Sequence, residues 1–198
     1  NYDDFINDSD KDGFIALLLA VSGGHLDTVE CLLQYGANVD AVEWVGNLTP
    51  LGMAVASNRA DIARILLIFG ADINKAGNNN GWTPLCSAVY NGNLTMVKFL
   101  LDFGADINKK NTGGSSPIYY AVFSSHLGIV KLLLDNGVNV NEIYSTDRTL
   151  LFIHICTRRV ETQERLDIIK ILLNYGANIN HLDDQGKTAL DYAKEKNH

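Results

Sequence analysis

Proline is scarce in this chain, at three of 198 residues, while glycine is plentiful at seventeen. That balance suits many short helices separated by turns. Only three cysteines occur, Cys31, Cys86 and Cys156, spaced by 55 and 70 residues. The odd count and wide spacing match no metal or redox motif, so free thiols in a reducing, intracellular compartment are expected. Positive charge is not in excess: the net charge is −7 and the sequence pI about 5.1. An acidic chain repels phosphate backbones, which argues against nucleic acid as the main partner. The longest clean apolar run, near residues 16–21, is far too short to span a bilayer.

Catalytic equipment is also missing. The five histidines are scattered, none at the i, i+4 spacing of a helical zinc site. No nucleophile has an identifiable base. Gly186-Lys187-Thr188 looks like the end of a phosphate-binding loop, but the fifth place before Gly186, where that motif needs glycine, holds His181. The expectation is a chain that is not an enzyme and takes no cofactor and no metal.

What the chain does have is a repeat. Gly-Ala or Gly-Val follows an apolar segment at Gly36, Gly70, Gly104, Gly137 and Gly176, at intervals of 34, 34, 33 and 39 residues. A second marker recurs with nearly the same period at Thr49-Pro50-Leu51, Thr83-Pro84-Leu85, Ser116-Pro117-Ile118, Thr149-Leu150-Leu151 and Thr188-Ala189-Leu190. Two markers sharing one period signal a repeat architecture. Thr or Ser is read as an N-cap for orphan backbone N–H groups, with proline following where its missing N–H costs nothing. A short first helix leads to a break such as Asn91-Gly92-Asn93. A second helix carries a one-sided apolar stripe, such as Val97, Leu100 and Leu101, and glycine ends it in the left-handed conformation.

These units resemble ankyrin repeats. Gly81-Trp82-Thr83-Pro84-Leu85, Leu66-Leu67-Ile68-Phe69-Gly70-Ala71-Asp72-Ile73-Asn74 and Asp183-Asp184-Gln185-Gly186-Lys187-Thr188-Ala189-Leu190 carry the likeness, which covers residues 10–198. The resemblance implies an all-α ankyrin-repeat solenoid of helix-turn-helix units joined by β-hairpin-like turns. It implies a single domain over residues 1–198, with repeats near 10–43, 44–77, 78–110, 111–143 and 144–182 and a partial one at 183–198. Residues 1–9 read as the tail of a preceding repeat or an N-terminal cap, so the sequence is expected to belong to a longer protein.

The pattern is broken in places. The family's histidine after Thr-Pro-Leu is replaced in every unit, by Leu18, Gly52, Cys86, Tyr119, Phe152 and Asp191. In the family that histidine helps tie neighbouring turns, so softer repeats are expected. Ile15-Ala16 stands where the first unit should have its cap. The fifth unit is six residues longer than its predecessor, around Arg158 to Arg165. That excess reads either as an extended, solvated helical turn or as a ridge that contacts a partner.

The resemblance further implies a protein–protein interaction module, a monomer, that meets its protein partner on a concave face built by the turns and the first helices. On that face fall Trp82, Tyr90 and Phe123, with Trp44 next along. They read as binding anchors or as rings that merely cover the core. Arg148 and Lys187 continue the row as orienting or merely solvated charges. Tyr119 and Tyr120 are weaker candidates, one of them expected to point inward. Asn74, Asn108, Asn141 and Asn180, each eight residues after a leucine, match the site of ankyrin asparaginyl hydroxylation, or simply bond the turn backbone. The alternative to a plain interaction module is the targeting domain of a bacterial or viral effector with catalysis elsewhere, acting in the host cytoplasm. A purely architectural scaffold is the third reading. Partner and organism are not written in these residues.

Overall fold

The structure, a computed structural model, describes residues 6–8, 15–42, 47–77, 80–156 and 162–195. Contacts group the chain into two compact units, residues 1–113 and 114–198. The first unit holds three helix pairs: α1 (Ala16–Gly23) with α2 (Leu26–Gln34), α3 (Pro50–Ala56) with α4 (Ala60–Ile68), and α5 (Pro84–Tyr90) with α6 (Leu94–Asp102). The second holds α7 (Pro117–Phe123) with α8 (Leu127–Asp135), α9 (Leu150–Cys156) with α10 (Gln163–Asn174), and the single helix α11 (Ala189–Glu195). Among the described residues there are no strands, only two isolated bridges, Gly77 to Trp82 and Tyr144 to Arg148, at the bases of hairpin-like turns. This is the ankyrin-repeat fold.

Seven-residue helices such as α3, α5 and α7 are too short to persist alone in water. Their stability comes from packing. In the first unit α1 packs on α3 and α3 on α5, with α2 on α4. In the second, α7 packs on α9, α9 on α11 and α8 on α10. Leu51, Leu66, Leu85 and Leu100 are fully buried in the first unit, and Ile118, Leu133, Phe152 and Leu172 in the second. Glycine stops each second helix in the same way. Gly70, at φ 88°, donates to the Leu67 carbonyl while Ala71 donates to that of Leu66, the bonding of a Schellman cap.

Side chains then tie turn to turn. The Asp72 amide donates to the Asp40 carboxylate, and the Asp106 amide to Asn74 Oδ1 at 2.8 Å. Asn141 makes two such bonds, accepting from the Asn178 amide at 2.7 Å and donating to the Gly176 carbonyl at 2.9 Å. Asn7 does the same with Asn38 and Gly36. The lost histidine is replaced at one place by a weaker donor: the buried Cys86 thiol points at the Lys109 carbonyl, 3.9 Å away. Burial pushes that thiol's pKa up, against a smaller opposing effect of its bonds to Thr83.

Three local expectations need correction. Thr49 and Thr83 do cap α3 and α5, accepting from Gly52 and Cys86 amides at 3.0 and 3.2 Å. Ser116 does not cap α7. Its hydroxyl instead donates to Glu142 at 3.0 Å, a bond strengthened by the carboxylate's charge, and sits 2.7 Å from the Tyr144 hydroxyl. The long fifth unit is not simply a solvated turn. Residues 157–161 lie outside the described residues, but the end of the insertion, Arg165, is buried in α10. Its Nη2 donates to the His154 carbonyl at 2.7 Å. The buried His154 ring lies between two carbonyls, Val122 at 3.1 Å from Nδ1 and Arg165 at 3.2 Å from Nε2. Finally, Tyr119 and Tyr120 are both half-buried, so neither points fully inward. Their rings meet edge to face with centroids 5.4 Å apart.

Arg165→Met should destabilise the protein by about 2 kcal/mol, since it strips a charged donor from a buried carbonyl. Lys170→Met, which loses only the exposed pair with Asp167 on the same helix, should cost less than about 0.5 kcal/mol. Urea unfolding midpoints of the two variants check the difference.

Candidate protein-interaction surface

In the first unit Trp82 immediately precedes the cap of α5 and Tyr90 ends that helix. The Gly77 amide donates to the Trp82 carbonyl at 2.9 Å, which fixes the base of the turn. The two rings pack edge to face, centroids 4.9 Å apart at 64°. That geometry matches the ring quadrupoles and holds both side chains in one arrangement. Tyr90 nevertheless stays 46% exposed, and Trp82 is half-buried. A rigid, partly open aromatic pair is what a partner can cover with little loss of entropy. Trp44 lies outside the described residues.

In the second unit Phe123 occupies the place that Tyr90 has in the first, at the end of α7. It is half-buried and stacks on Tyr119, one turn earlier, with centroids 6.1 Å apart and planes 6° apart. Tyr119 also touches Tyr144 at 5.2 Å. The sequence undervalued Tyr119. Its i, i+4 spacing from Phe123 on a first helix was the signal that could have ranked it higher. Burial, and then its hydrogen bond to Glu142, push the Tyr144 hydroxyl pKa far up, so it remains a neutral donor.

Arg148 takes the position of Trp82 in the fifth repeat but is engaged inside its own unit. Its guanidinium sits over the Phe152 and Tyr192 rings at 5.0 and 5.2 Å and reaches Asp183 at 3.4 Å. Burial works against that charge, yet bonds to Tyr192 and Asp183 hold the pKa above its usual value. Asp183 is the other half of this clamp. Burial again opposes its charge, but the Lys187 and Gln185 amides, with Tyr192 and Arg148, keep the carboxyl below the usual carboxylate range. Lys187 is drawn to Glu195 at 2.6 Å and lies over Tyr192.

The candidate asparagines also have structural work. Asn74 and Asn141 spend side-chain atoms on the next turn, while Asn108 and Asn180 occupy the equivalent exposed places. Among the described residues no group of three or more His, Cys, Asp or Glu could hold a metal ion, and no helix is long and apolar enough to cross a membrane.

The family model for ankyrin repeats (3 copies) matches residues 2–76 and 68–144, and that for ankyrin repeats (many copies) matches 154–198. The chain belongs to the ankyrin repeat family. Among solved structures it is similar to the crystal structure of EF0377, an ankyrin repeat protein, at 32% identity and a TM-score of 0.81, over 96% of this chain and 94% of that one. No curated protein matches. Ankyrin repeats are a general protein–protein interaction module, typically without catalysis, and this chain is built from them.

The clamp makes stability depend on pH. Because the folded Asp183 pKa is lowered, its contribution is present above the unfolded value of about 3.9 and is lost as pH falls through the folded one. Asp183→Asn should therefore lower the urea midpoint clearly at pH 7, with the gap to wild type closing toward pH 2.

Proposed function

We propose that this ankyrin stack binds a protein partner through the face carried by its hairpin turns and first helices. Trp82 and Tyr90 are the anchors of that surface in the first unit; in the second unit, taken by itself, Phe123 with Tyr119 holds the equivalent place. The observation that supports this reading most is the Trp82–Tyr90 pair, locked edge to face yet leaving Tyr90 nearly half exposed. Large aromatics in fixed positions dominate binding energy at protein interfaces. Trp44 belongs to the same proposal by its place in the turn of the second repeat. Arg148 contributes from its clamp, as a charge whose direction is already set by Asp183 and Tyr192. Such a charge orients a partner without the entropy cost of ordering a free arginine.

The double variant Trp82→Ala, Tyr90→Ala should weaken partner binding by about 100-fold or more, taking hot-spot losses of ~2 kcal/mol or more for the pair. The far-UV circular dichroism should be unchanged, since neither ring is a core residue. Affinity capture from cells with quantitative mass spectrometry, followed by titration of the captured protein, reads the effect. Equal binding by the variant would remove this surface from consideration.

A further inference from the structure

Charge is unevenly placed on the turns and first helices of the first unit. Helices α1, α3 and α5 carry no charged side chain. Three turn carboxylates are directed at backbone amides: Asp40 accepts from the Asp72 amide, Asp72 from that of Asn74 at 2.8 Å, and Asp106 from that of Asn108 at 2.9 Å. An anion held in this way has its charge partly met by the amide dipoles of its own turn. Cations take the positions just beyond. Lys75 follows Asn74, and Lys109 and Lys110 follow Asn108. Lys109 and Lys110 are both exposed.

These lysines flank the Trp82–Tyr90 pair. Lys75 stands two residues before Gly77, whose amide closes the turn on the Trp82 carbonyl, and its ammonium donates to the Asp40 carbonyl at 2.8 Å. On the other side, the next turn lies directly against the turn of Trp82. Thr112 donates to the Asn80 carbonyl from its amide at 3.1 Å and from its hydroxyl at 2.8 Å, and the Cys86 thiol faces the Lys109 carbonyl. Two exposed ammonium groups are thereby set beside a fixed, partly open aromatic pair, in a chain whose net charge is −7.

We infer that the partner segment received here is an acidic peptide that carries a large apolar side chain. The apolar group covers Trp82 and Tyr90, and neighbouring carboxylates meet Lys109 and Lys110. The chain's overall charge opposes such a ligand at long range. Screening beyond about 8 Å at physiological salt leaves the nearby lysines to decide the contact. A nucleic acid fits less well, because its charge continues along the strand and would meet the acidic remainder of the chain. The inference rests on the reading of Trp82 and Tyr90 as anchors.

Random linear peptides displayed on phage, selected on the immobilised chain, test it. Enriched peptides should pair aspartate or glutamate with an aromatic or long aliphatic residue. Titrated as labelled synthetic peptides, they should bind at least about tenfold more weakly to the Lys109→Glu, Lys110→Glu variant, and more weakly to wild type as salt is raised from about 0.05 to about 0.5 M. Both lysines are exposed, so the variant's circular dichroism and melting should match wild type. Enriched peptides that are neutral or basic, or that bind the lysine variant equally, would overturn the inference. The anchor reading would still stand if Trp82→Ala, Tyr90→Ala releases those peptides, and would itself fail if that variant retains them. A selection that enriches nothing, or a labelled single-stranded oligonucleotide that binds through the lysines in place of peptides, also overturns the inference.

Discussion

Helices of seven to nine residues cannot bury a hydrophobic face by themselves, and everything else in this protein follows from that constraint. Each first helix exists because its neighbours cover Leu51, Leu85, Ile118 or Leu151. Within each unit, turns are held because an Asp or Asn from the turn before reaches the backbone of the next. Stacking is thus both the source of stability and the device that sets spacing. Within each unit it presents one turn and one first helix per repeat on a packed base.

The family's turn histidine is missing, and no single residue takes over its role. Cys86 offers a weak thiol donor where it would stand. Tyr119 fills the position with an aromatic contact to Tyr144, and Phe152 with a buried ring beneath Arg148. The second unit adds charged side-chain ties to those of Asn141: Arg148 with Asp183, and Arg165 with the His154 carbonyl. Buried charges are costly to leave unpaired, so such pairs enforce one arrangement more than they add net stability. The repeats are therefore held by varied local solutions around a constant apolar stripe.

The same economy of position bears on the proposed interaction surface. The Trp82 backbone closes the turn, so its side chain is not needed for that role. Arg148, at the equivalent place, lies over two rings and meets Asp183, so its charge is held in one direction. A position in the repeat thus determines which way a residue faces at the start, and its neighbours determine whether it stays available.

Much of this was legible in the residues alone. The period of the Gly-Ala and Thr-Pro-Leu markers is enough to define the helix pairs, because capping and glycine conformations are local effects that depend on a few adjacent residues. It also placed Trp82 and Tyr90 at neighbouring corners of one helix. What only the tertiary structure decided were the contacts made across repeats. That Ser116 prefers Glu142 to its own helix, that Arg165 is buried rather than solvated, and that Tyr119 supports Phe123 all depend on which side chains meet. The physical reason is that a local pattern specifies the direction of a side chain, whereas its partner lies some thirty residues away in sequence and only stacking brings it within reach.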